Sequence, residues 1–98
     1  MAYSTTARVT TDRPGRYIKQ LVSHMSHKVP TELAEDGSGR IALRGGECVL
    51  TPAAGHLDMT ATADDVEAVA GIEDVITRHL VRFATQEELT VTWVPASD

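Results

Sequence analysis

Between Thr31 and Thr62 the chain is cut three times by turn chemistry, and each cut separates two short runs that alternate apolar and polar residues. Thr31–Ala34 leads into Asp36-Gly37-Ser38-Gly39, Arg40–Leu43 into Gly45-Gly46, and Glu47–Thr51 into Pro52-Ala53-Ala54-Gly55, while Leu57–Thr62 completes the set. Glycine tolerates the left-handed backbone of tight hairpins, so Gly-Gly between alternating runs is a two-residue hairpin signal. Strands this closely spaced have no room for crossover helices and form an antiparallel meander. Alternation then gives the strands an inward set: Ile41 with Leu43, Cys48 with Leu50, and Leu57, Met59 and Ala61.

Segments of helical period flank the meander. Ile18, Leu21, Val22 and Met25 recur at i, i+3, i+4 and i+7, one buried stripe. Asp12 is the expected N-cap, Pro14 suits the first turn, and Pro30 ends the helix. Asp64 is expected to open a second helix, with Glu67 three residues on as in a capping box, and with Val69, Ile72, Ile76, Leu80 and Phe83 on its buried side. Tyr3, Thr5, Ala7 and Val9 predict a short first strand, and Leu89, Val91 and Trp93 a last one. The order is β-α-β-β-β-β-α-β in one domain over residues 1–98. This is an α+β two-layer sandwich, an antiparallel sheet of four to six strands with two helices on one face. The other face carries Arg40, Ala42, Arg44, Glu47, Val49 and Thr51, then Asp58, Thr60, Thr62, Thr90, Thr92 and Val94. That threonine-rich set suits a solvated face or an oligomer interface.

Ninety-eight residues with 42% hydrophobic and 23% charged side chains are enough for a core that needs no disulfide. Cys48 is the single cysteine, no apolar run approaches a membrane span, and the first residues lack the apolar stretch of a secretory signal, which together predict a cytoplasmic protein. The net charge of −5 argues against general nucleic-acid binding. The charge is uneven. Residues 1–28 hold five basic side chains and one acid, whereas residues 29–98 hold four arginines and thirteen acids. Either the two parts pair with one another in the fold, or the first helix offers an anion- or partner-binding surface.

Arg16–Lys28, RYIKQLVSHMSHK, concentrates the polar chemistry. Arg16, Gln20, Ser23 and His27 lie opposite the apolar stripe, with Tyr17, His24 and Lys28 along its border. The candidate ligand-binding set is therefore Arg16, Lys19, Gln20, His24, His27 and Lys28. Arg13, Arg16 and Lys19 stand near the helix N-terminus, where a phosphate, a carboxylate or a catecholate-type ligand can dock, unless these cations pair with Glu87 and Glu88. His24 and His27, at i and i+3, can share a metal if Cys48, His56 or a carboxylate joins them, but no spacing rule brings those close. His79 falls on the apolar stripe of the second helix and reads as a core or boundary residue, Cys48 as a small core residue, and Trp93 as a core anchor. No catalytic triad and no phosphate-binding loop is present, so the chain reads as a binding protein rather than an enzyme, and no cofactor is implied.

The pattern R-Y-x-K-Q-L-x-x-H-x-x-H-K, a glycine hairpin within RIALRGGECVL, and H-L-x-R-F-A…E-x-L-x-V-x-W resemble the small bacterial proteins grouped as domain of unknown function 2218, from about Ala7 to Trp93. The pattern maps onto Arg16, Tyr17, Lys19, Gln20, His24, His27 and Lys28, and onto His79, Arg82, Phe83, Glu88 and Trp93. The resemblance implies a stand-alone α+β domain. Some relatives are joined to siderophore-interacting, flavin-dependent ferric reductases, which implies an iron-uptake setting and a siderophore-related reductase as partner. The leading expectation is a binding or accessory domain linked to iron or siderophore handling that works through the polar side of the first helix. The alternatives are a homodimer formed through the threonine-rich face or an edge strand, and a small metal-dependent enzyme using His24, His27 and an acid.

Overall fold

The computed structural model describes residues 2–85 and 87–96. Strand β1 (Tyr3–Thr10) is followed by helix α1 (Pro14–Met25), strands β2 (Thr31–Leu33), β3 (Gly39–Leu43), β4 (Gly46–Ala53) and β5 (His56–Ala63), helix α2 (Val66–Phe83), and a two-residue strand β6 (Val94–Pro95). The sheet order is β2-β3-β4-β5-β1-β6, with every pairing antiparallel. The four central segments form the expected meander. The first strand inserts between β5 and β6 and pairs with β5 over its whole length, from Tyr3↔Ala63 to Thr10↔His56. Among the described residues no helix is long and apolar enough to cross a membrane.

Both helices lie on one face. Helix α1 packs over β3 and β4, and α2 over β5, β4 and β1. Cross-strand neighbours Ile41↔Cys48↔Ala61 and Leu50↔Met59↔Ala7 share the inner face and are buried with Val9 and Leu57. Ile18, Leu21 and Met25 from α1, and Val69, Ile72, Ile76 and Leu80 from α2, close the layer. Burying a side chain of this size contributes about 1.5–3 kcal/mol, so these stripes hold the helices in place. The close fit of α1 depends on Gly39, where a Cβ would stand 2.8 Å from Cγ2 of both Ile18 and Val22.

Several boundaries move from their expected places. The β3–β4 hairpin turns on Arg44 (φ 55°) and Gly45 (φ 79°), while Gly46 already belongs to β4. Arg44 accepts the left-handed backbone, and its side chain lies over Gly71 of α2. The N-cap of α1 is Arg13 rather than Asp12, and no side chain caps it. The buried Thr11 makes the turn instead: its Oγ1 accepts from the Arg13 N–H (3.1 Å), and its own N–H donates to the Gly55 carbonyl (3.1 Å). Helix α2 is capped by Asp65 rather than Asp64, the carboxylate accepting from the Ala68 N–H at 2.7 Å. The shift moves Glu67 out of the capping-box position but keeps it in the first turn, where the helix dipole favours an acid.

The expected last strand is a further difference. Leu89 is buried and Thr90 exposed, and Val91 and Trp93 pack against the core, so the alternation is present. The ladder with β1, however, is confined to Thr5↔Pro95 and Thr6↔Val94. Trp93 spans the layers, its indole N–H donating to Thr77 Oγ1 of α2 at 2.8 Å.

Candidate functional site

The twelve-residue helix α1 turns its apolar stripe to the sheet, which leaves Arg16, Lys19, Ser23, His24, His27 and Lys28 exposed and Gln20 half-buried. Two rows follow from helical spacing. Arg16, Gln20 and His24 are four residues apart and run along the border with α2, while Lys19 and Ser23 form the next row outward; the helix ends at Met25, short of the expected Lys28, so His27 and Lys28 lie in the turn that follows. The last turns of α2 meet the first row and make a cleft with it. Its wide part is a shallow, solvent-open depression of about 410 Å³ lined by Lys19, Gln20, Ser23, His24, His27 and Phe83. It adjoins a narrow polar end of about 90 Å³ lined by Arg13, Arg16, Tyr17, Gln20, Phe83 and Thr85. Gln20 and Phe83 belong to both.

The seam between the helices is aromatic. The His24 ring lies 4.9 Å from the His79 ring, centroid to centroid, and meets Phe83 edge-on at 5.6 Å. His79 is the boundary residue that its place on the stripe suggests: it is half-buried, and its Nδ1–H donates to the Val75 carbonyl at 2.6 Å. That bond orients the ring. Its pairing with His24 was not expected, because the two rings come from helices that the sequence does not align. Partial desolvation holds the His24 imidazole below its ordinary value of 6.5, and the cationic groups His79, Lys28, His27 and Arg82 push in the same direction.

At the narrow end the Tyr17 hydroxyl donates to Glu87 Oε2 at 2.7 Å, and Thr11 Oγ1 donates to the same oxygen at 3.1 Å. Burial, followed by the bond to Glu87, raises the Tyr17 phenol above 10. Glu87 therefore does stand beside the basic segment, but two hydroxyls hold it. The Gln20 Oε1 atom is shielded and has no hydrogen-bond partner among the described residues.

Away from the cleft, three arginines have their charges met locally. Arg8 pairs with Asp58, Arg40 with Glu47 and Glu32, and Arg78 with Asp74. Among the described residues Arg16, Lys19, Lys28 and Arg82 make no such ion pair. Among the described residues, pairing between the basic segment and the acidic body is thus seen at Arg8 and not at Arg16, Lys19 or Lys28.

His24 and His27 find no further metal ligand. Among the described residues no group of three or more His, Cys, Asp or Glu side chains converges as a metal site would. Cys48 is sealed on the inner face of the sheet, where burial pushes its thiol up to about 12, and His56 is paired with Asp58 at 3.2 Å on β5. The threonine-rich face is open, and its polar groups meet one another, as in the Ser4–Thr62 hydroxyl pair (3.0 Å) and the Arg8–Asp58 bridge (3.1 Å).

The family model described as "Uncharacterized protein conserved in bacteria (DUF2218)" matches residues 6–94. The chain belongs to this family. The match takes in the whole cleft, from Arg13 to Glu87, and the DUF2218 span begins within β1 and ends at the first residue of β6. Among solved structures, the NMR structure of PA4090 from Pseudomonas aeruginosa is similar at 30% identity and a TM-score of 0.80, covering 98% of this DUF2218 chain and 99% of that one. No curated protein matches the chain.

Proposed function

We propose that this DUF2218 protein is a small binding domain that takes an anionic ligand into the cleft between α1 and α2. The observation that carries the reading is the unpaired charge. In a protein of net charge −5, Arg16 and Lys19, which line the cleft, and Lys28 and Arg82, which act on His24 beside it, have no carboxylate partner among the described residues; Arg8, Arg40 and Arg78 each have one, and Arg44, also without one, lies over Gly71 of α2. Uncompensated like charges around one concave surface repel, and an external anion relieves that repulsion. Ser23 and Gln20 add neutral hydrogen-bonding groups to the same walls. In an iron-handling setting, the ligand is the anionic chelator that carries ferric ion, and a siderophore-related reductase is the partner. The iron is then cargo held by the chelator, and no protein metal site is required.

The test is a thermal-shift and NMR titration at low salt with sulfate, phosphate, carboxylates and ferric chelates. A specific anion raises the melting temperature by mass action and moves the backbone amides of residues 16–28. Lys19→Ala with Lys28→Ala removes that response while the protein keeps its melting temperature without ligand. A response unchanged in this variant, or no anion response in the native protein, overturns the proposal.

A further inference from the structure

The anion-binding reading leaves open what the rest of the ligand is, and the shape of the cleft bears on that. The inference rests on that reading and narrows it. A bare inorganic anion needs cations and N–H or O–H donors only. It has no use for the wide, solvent-open depression beside the cations, which is lined on one side by Phe83 and His24. One wall of that depression is built of rings: Phe83 lies edge-on to His24, and His79 lies behind His24 at 4.9 Å. Phe83 is only half-buried although its neighbour Leu80 is fully buried, so part of its ring is open at the depression. The cations are placed differently. Arg16 belongs to the narrow end and Lys19 to the depression, on either side of Gln20 along α1.

We propose that the ligand is an aryl anion, a flat aromatic ring carrying a carboxylate or phosphate group. The ring lies in the wide depression against Phe83 and His24, and the charged group sits between Arg16 and Lys19. Aromatic rings attract a further ring in edge-on or offset stacking, beyond the gain from area burial alone. Head-and-ring complementarity of this kind discriminates by the ring, because the charged group contributes equally to every ligand that bears it.

The experiment compares probes matched in head group: phenyl phosphate against inorganic phosphate, and benzoate against acetate, by NMR titration of the native chain at constant ionic strength. The aryl member of each pair is expected to bind about tenfold tighter or more. Its titration moves the ring signals of Phe83, which the small anions leave in place. Phe83→Leu, close in volume, erases the preference and retains weak phosphate binding. Should that variant fail to fold, His24→Asn at an exposed position makes the same comparison. Equal affinities within each pair, or an aryl preference untouched in the folded variants, overturn the aryl inference and leave the anion reading standing. If no probe binds at all, both fall.

Discussion

His24 of α1 and His79 of α2 lie 4.9 Å apart across the seam between the helices, with Phe83 closing the group at 5.6 Å from His24. Neither ring is paired with a carboxylate among the described residues. The groups acting on His24 are His79, Lys28, His27 and Arg82, all cationic or able to become so. Adding a proton to His24 is therefore unfavourable in this seam.

From this follows a pH dependence with a definite sign. The folded-state value of His24 is held below 6.5, so the unfolded chain takes up this proton more readily. The contribution of His24 to stability is full above about 6.5 and declines as pH falls from there toward the lower folded-state value. His24→Asn is expected to flatten that part of the stability–pH curve. A titration of the imidazole Cε1–H signal reads the midpoint directly: below 6.5 without ligand, and higher with sulfate bound. A midpoint at or above 6.5 in the free protein contradicts this account.

Tyr17 and Glu87 link α1 to the segment after α2, and the bond joins a buried phenol to a half-buried carboxylate. Tyr17→Phe removes one of the two hydroxyls on Glu87 and is expected to cost about 1–2 kcal/mol in urea denaturation. Combining it with Glu87→Gln costs less than the sum of the two single changes, as partners in one interaction do. The phenol is raised above 10, so the folded protein holds this proton more tightly than the unfolded chain. That stability is present below about pH 10 and is lost as pH rises through the folded-state value.

Two glycines make a matched pair of opposite expectations. A Cβ at Gly39 meets Ile18 and Val22 at 2.8 Å, so Gly39→Ala pushes α1 off the sheet at a cost of about 1–3 kcal/mol. Gly15 lies in the first turn of α1 with nothing within 4 Å of an added methyl, and Gly15→Ala is expected to stabilise by about 0.5–1 kcal/mol. Equilibrium unfolding of the two variants in parallel checks both signs.

Leu21→Ala and Lys19→Ala separate core from surface on one helix. Leu21 is fully buried and its truncation is expected to cost about 2–5 kcal/mol. Lys19 is exposed and without an ion pair among the described residues, so its loss leaves stability within about 0.5 kcal/mol of the native value. A large loss from Lys19→Ala places that side chain in the architecture and not at a binding surface.

Much of this arrangement is legible in the residues themselves. The i, i+3, i+4, i+7 spacing of Ile18, Leu21, Val22 and Met25 determines which side of α1 is buried, and therefore which side keeps Lys19 and His27 in water. Alternation likewise places Cys48 with Leu50 and Met59 with Ala61 on one face. Turn positions slip by a residue, since Gly45-Gly46 shows that a hairpin is present but not that Arg44 takes the first left-handed place. The run from Leu89 to Trp93 has strand alternation without a ladder, because laddering depends on how β1 lies beside it, and β1 stands at the far end of the sequence. The same kind of distance hides the Tyr17–Glu87 bond and the meeting of His24 with His79. Periodicity reports which face of an element is buried. It does not report which two elements share an edge.

The position of β1 bears on how the molecule comes together. β1, the first strand of this domain in chain order, is an interior member of the finished sheet, flanked by β5 and β6, and its residue Tyr3 pairs with the distant Ala63. Hairpins β2–β3, β3–β4 and β4–β5 can close locally, but the N-terminal segment must wait for β5 with both margins bare. Deleting it would not trim a rim. It would cut β6 adrift and expose the flank of β5 that carries Leu57 and Met59, turning a closed assembly step into an invitation to pair with another copy.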